Sequence, residues 1–155
     1  MGTTGDSQRK LEEAAARALK VPVARVREDR RRVAQRIAES AGISAGQALR
    51  RHGKAYSIRL KTIVVLIRKG YPPEVGAMLP VYWTVRRPEG WYVLGGAYGA
   101  ECDPGKLDVC ESLAEAKSEA ALYARLDLAA VQALNPAQFT AKVRAELRRL
   151  DGETA

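Results

Sequence analysis

Between Pro22 and Lys69 stand 13 of the chain's 26 lysines and arginines and only three of its 18 acids, Glu28, Asp29 and Glu39. This stretch carries a net +10 in a chain of net +8, so everything outside it sums to −2. A local cluster of cations attracts polyanions, because each phosphate it neutralises releases counterions and adds affinity that is independent of sequence. The bland alternative is a solvated basic face that binds nothing.

Other side chains able to do chemistry are sparse. His52 is the only histidine, and no serine or cysteine nucleophile motif accompanies it, so a hydrolytic triad has no base to build on. Cys102 and Cys110 are the only cysteines; with one histidine they fall short of the four soft ligands of a structural zinc, and the expectation is a reduced pair in a cytoplasmic protein. Asp108, Glu115 and Lys117 superficially resemble the acids and lysine of metal-dependent nucleases. The Glu-x-Lys pair, however, falls inside a capped helix, where alternate residues do not face one site. The glycines of residues 95–111 lead into no Gly-Lys-Ser/Thr, so they do not form a phosphate-cradling loop. Neither a catalytic residue nor a metal or cofactor site is expected.

The elements that position the cations come next. Pro22 suits the first turn of a helix in which Val26, Val33, Ile37 and Ala41, with Ala34 and Ala38, form an apolar stripe, while Arg25, Arg27, Arg30, Arg31, Arg32 and Arg36 project elsewhere. Gly42 supplies a positive φ that stops this helix, Ile43 tucks under the turn, and Ser44 caps a short following helix that ends near His52 and Gly53.

Ile37-Ala38-Glu39-Ser40-Ala41-Gly42-Ile43-Ser44 resembles the helix-turn-helix of bacterial repressors of the lactose-repressor type. In that resemblance Ala38 is the small residue that allows close helix contact, Gly42 the turn glycine, and Ile37, Ala41, Ile43 and Ala48 hold the two helices together. The match covers about twenty residues, all within the motif. Gly46 and Ala45 stand where such proteins place base-reading side chains, and Arg51 stands where a buried apolar residue is usual. Ser44, Gln47, Arg50 and Arg51 remain for the major groove, with Arg30, Arg31, Arg32, Arg36 and Lys54 for phosphates. An ordinary αα corner uses the same glycine and cap and stands as the alternative.

Around this core the chain reads as α+β. Residues 1–6 are expected to be a disordered lead-in, and Ser7 caps a first helix to about Lys20. A helix from near Tyr56 to Gly70 carries Leu60, Ile63, Val64 and Ile67, and Pro72 and Pro73 open a short helix closed by Pro80. Val81, Trp83 and Val85 alternate with Tyr82 and Thr84 and return through Trp91 to Leu94, a hairpin whose tip offers Arg86 and Arg87 to a phosphate backbone. A long connection with an Asp103-Pro104-Gly105 turn follows. Ser112 to Glu115 caps a helix running to between Leu122 and Leu134. Asn135 and Pro136 start the last helix, with a stripe of Phe139, Val143, Leu147 and Leu150 expected in the core and Gly152 as its stop.

The expected organisation is a basic helical lobe over residues 7–80, and a hairpin with C-terminal helices over 81–155 packed against it as one unit. The apolar run Ile63 to Ile67 is far shorter than the roughly 18 residues of a membrane span, and the first ten residues lack the apolar stretch of a secretory signal. The functional expectation is a non-enzymatic cytoplasmic DNA-binding protein, with transcription regulation as one role and homodimerisation open. The alternative is a small accessory or inhibitor protein, for example from a mobile element, that binds a partner protein or occupies its nucleic-acid site. RNA or a single strand stacked on Trp83 and Trp91 is a third reading.

Overall fold

Apolar residues at helical spacing and one alternating stretch produce five α-helices, a short 3-10 turn and three strands among the described residues, which in the computed structural model are 3–96 and 105–154. In chain order these are α1 (Thr3–Leu19), α2 (Val23–Ala41), α3 (Ala45–Arg68), the 3-10 turn Pro73–Met78, β1 (Val81–Arg87), β2 (Gly90–Gly96), β3 (Gly105–Cys110), α4 (Leu113–Gln132) and α5 (Pro136–Thr154). The α+β expectation holds, with a mainly helical N-terminal part and a small antiparallel sheet. Among the described residues no helix is long and apolar enough to cross a membrane.

α1, α2 and α3 pack as a three-helix layer whose core holds Ala15, Val26, Ile37, Ala48, Tyr56 and Leu60. The sheet, in the order β1-β2-β3, lies against this layer through Val81, Trp83 and Val85, the inward half of the alternation in β1. The other face of the sheet receives α4: Tyr82 stacks on Tyr123 with ring centroids 5.6 Å apart and donates its hydroxyl to the Asp127 carboxylate. Aromatics on both faces of the hairpin thus serve two different helical layers. A second cluster joins Ile63, Leu66 and Tyr71 to Val75, Leu79, Val131 and Phe139, where the far end of α3 meets the 3-10 turn and the α4–α5 junction.

Several boundaries differ from the expected ones. The first helix begins at Thr3, so Ser7 lies inside it instead of capping it. The two helices expected on either side of Gly53 are one 24-residue helix. An interior glycine costs about 1 kcal/mol against alanine, but Ala48 before it and Tyr56 after it are both buried, and their packing holds the backbone helical through the gap. His52 therefore sits in mid-helix and serves no terminal carbonyls. The connection after the hairpin contains a strand, β3, paired to β2 with a register shift between Val93 and Leu94; its alternating Leu107 and Val109 are exposed, and Cys110 is buried. Cys102, Asp103 and Pro104 lie outside the described residues, and Cys110 is a free buried thiol.

Gly152 does not stop α5, which continues to Thr154. More consequentially, only the start of the α5 stripe is in the core. Phe139 is buried and Val143 packs beside it, whereas Leu147 and Leu150 are 51% and 44% exposed.

Candidate nucleic-acid interface

The turn between α2 and α3 is built as its residue types require. Gly42 adopts φ 67° and ψ 35°, the left-handed conformation that glycine enters without a Cβ penalty, and its N–H and that of Ile43 both close onto the Ala38 carbonyl. Ser44 then caps α3 in a reciprocal box: its hydroxyl accepts from the Gln47 N–H, and the Gln47 side chain accepts from the Ser44 N–H, both at 3.2 Å. The Ser-x-x-Gln spacing was the available signal for this box. Ile37, Ala38 and Ala48 are buried around the turn, with Ala41 and Ile43 packed beside them.

Beyond the turn the two helices do not diverge. The Tyr56 hydroxyl lies 3.5 Å from the Val26 carbonyl oxygen and donates to Asp29 at 3.3 Å. Val26 is 16 residues before Gly42 and Tyr56 is 12 after Ser44, arms of roughly 24 and 18 Å at helical rise. A right-angle crossing would part those points by about 30 Å, so the contact requires a nearly antiparallel pair. Helix-turn-helix readers cross at roughly 90–120°. The α2–α3 pair as a whole therefore has the form of an αα-hairpin.

The expected site residues divide by location. Arg50, Arg51 and Lys54 are exposed on the first turns of α3, beside exposed Ser44. Arg50 folds back over the open space left by Gly46, whose Cβ position is 3.6 Å from a guanidinium nitrogen of Arg50. Arg87 reaches the closed end of the hairpin pair from β1, donating to the Ser40 carbonyl in the last turn of α2, where a cation offsets the helix dipole. Trp83 fixes the same contact, its indole N–H donating to the Ser40 hydroxyl at 2.9 Å. The β1–β2 turn, linked by Pro88-Glu89, thus stands against the α2–α3 turn; Gly90, at φ 142°, backs onto β3 without room for a Cβ, which would meet the Cys110 carbonyl oxygen at 2.7 Å. Arg86 lies over the Trp91 ring at 5.8 Å.

On α2 the arginines are more engaged. Arg31 is exposed, Arg32 is ion-paired to Glu28 at 2.7 Å, and Arg32 and half-buried Arg36 border a shallow depression of about 300 Å³ with Gln35 and Glu39. Arg30 is drawn inward instead: its guanidinium lies against α3 at Gly53, 4.0 Å from where a Cβ would stand, and its Nε is buried without a hydrogen-bond partner. It packs in the helix contact while remaining partly exposed.

A buried polar cluster went unread in the sequence. Arg59, only 5% exposed, donates from Nη2 to the Gly76 carbonyl at 2.6 Å and from Nε to the Leu79 carbonyl, tying α3 to the 3-10 turn. Burial lowers its pKa to about 10, opposed by Tyr56 and Asp29, so it stays charged at neutral pH. Burial likewise holds the Asp29 carboxyl above the usual carboxylate range, with Arg59 and the Tyr56 hydroxyl pulling the other way. A charged residue amid Tyr56, Ile58 and Leu60 gives no sequence signal of its carbonyl partners, which are 17 and 20 residues away. Asp108 and Glu115 are occupied locally, accepting from the Val109 and Glu111 N–H groups, while Lys117 lies near His52. Comparison of the chain with protein-family models, with curated proteins and with solved structures gave no match.

Proposed function

We propose that this is a non-enzymatic DNA-binding protein that grips duplex phosphates with the closed end of the α2–α3 pair. The observation that carries the reading is the grouping of exposed Arg50, Arg51 and Lys54 on the free end of a helix whose other end is locked in the core, next to the hairpin tip at Arg87. Cations held on a rigid element bind phosphate without first being ordered. Arg31 and Arg32 extend the basic surface along α2.

Base reading is thin. Ser44 and Gln47 each give a hydrogen-bonding group to the other, and α3 lies alongside α2 instead of standing out as a separate reading helix. Binding is accordingly dominated by phosphate contacts and weakly selective among sequences. Such a protein would act in transcription by occupancy more than by choice of site.

Anisotropy titrations of a labelled random duplex, with single-stranded DNA and RNA of equal length beside it, test the reading. The expected result is micromolar or tighter duplex binding at low salt that weakens steeply as salt rises. Absence of duplex binding at low salt would overturn it, as would tighter binding of either single strand.

A further inference from the structure

α3 and α4 flank a groove that the basic surface does not use. It consists of two adjoining depressions of about 190 and 220 Å³ that share Thr62 and Leu128 as walls. Along α3 it runs from Ala55 to Leu66, about 16 Å at helical rise. Ile58 and Val65, seven residues apart on one stripe, are 53% and 49% exposed there. Two exposed cations, Lys61 and Arg125, border the groove together with buried Arg59, and no acid lines it among the described residues.

We infer that this groove docks an acidic amphipathic helical segment of a partner protein. Its length suits two to three turns of helix, and exposed aliphatics two turns apart match anchors spaced i, i+3 or i+4, and i+7. Carboxylates flanking those anchors meet exposed Lys61 and Arg125 with no opposing acid in the lining, which selects them over basic helices. A nucleobase finds no aromatic ring on which to stack in either depression. A small ligand finds two open hollows, each below the roughly 300 Å³ at which enclosed ligand pockets begin. The inference does not depend on DNA binding, since Ile58, Thr62 and Leu128 lie outside the proposed phosphate surface.

The test uses the full chain and a fluorescein-labelled helical peptide of about 14 residues with leucines at i, i+4 and i+7 and glutamates between them, alongside its counterpart with lysine for every glutamate. The glutamate peptide is expected to bind at least about tenfold more tightly than the lysine peptide. Ile58→Asp should weaken it about tenfold or more, and Arg125→Glu should reverse the preference between the two peptides. Both substituted side chains are exposed, and an unchanged thermal midpoint confirms that each variant is folded. Equal binding of the two peptides, binding indifferent to both substitutions, or displacement of the peptide by an equimolar single-stranded oligonucleotide or decanoate would overturn the inference.

Discussion

The two ends of α3 show how one helix can be divided between surface and core. Its first turns, from Ala45 to Lys54, bury only Ala48 and present Arg50, Arg51 and Lys54 to solvent. Its later turns bury Tyr56, Arg59, Leu60, Ile63, Val64 and Leu66, and their exposed stripe alternates aliphatic and basic as Ile58, Lys61, Val65 and Arg68. The difference lies in what covers each end. The 3-10 turn, the sheet and the α4–α5 junction close around the second half, whereas in the first ten residues only Ala48 is buried, and Ser44 caps them. The buried charge of the held end, Arg59, is structural, whereas the charges of the free end, Arg50, Arg51 and Lys54, all face solvent.

Substitutions at the two ends should break along this line. Arg59→Leu is expected to have the largest effect, costing about 3–5 kcal/mol, because the carbonyls of Gly76 and Leu79 lose their donor and Asp29 loses its neighbouring positive charge. A fall in the urea midpoint at unchanged slope measures it; a loss below about 1 kcal/mol would show that the cluster is dispensable. In the free end, Gly46→Ala should instead gain about 0.5–1 kcal/mol, since the added Cβ meets only Arg50 and Ser44 side-chain atoms at 3.6 and 3.9 Å. A destabilised Gly46→Ala would indicate that the glycine is needed by the fold.

The smallest expected effect is a pH dependence at His52. Burial first, then Arg51 and Lys117, hold its imidazole below the ordinary range, so the folded protein keeps it neutral where the unfolded chain is already protonated. Stability is therefore lost as pH falls below about 6.5 toward the lower folded value, and no further beneath that. His52→Gln should flatten the stability profile in this window. An identical profile in the variant would place the acid sensitivity elsewhere.

What was legible in the sequence follows the same division. Gly42, Ser44, the Ser112 cap and Asn135, whose side chain accepts from the Gln138 N–H, act through neighbours three or four residues away, so local chemistry announced them. The hairpin was equally plain from Val81, Trp83 and Val85. Continuity through Gly53 depends on Ala48 and Tyr56 being buried by other elements, which no local pattern states. Arg30 reads like its neighbours Arg31 and Arg32 until α3 is seen to pass against it at Gly53. In α5 the periodicity of Phe139, Val143, Leu147 and Leu150 correctly marked a face, but periodicity cannot say what covers a face, and the last two leucines are left half-exposed.

If the free end of α3 holds DNA, as proposed, the salt dependence of duplex binding will register its cations individually. The variant carrying Arg50→Ala, Arg51→Ala and Lys54→Ala should keep its thermal midpoint and lose roughly 2–3 from the slope of log K against log salt, about 0.9 for each phosphate contact removed. A control carrying Lys61→Ala and Arg68→Ala at the held end should bind as the unaltered protein does. Equal losses in the two variants, or an unchanged slope in the first, would show that DNA is not held at the free end of α3.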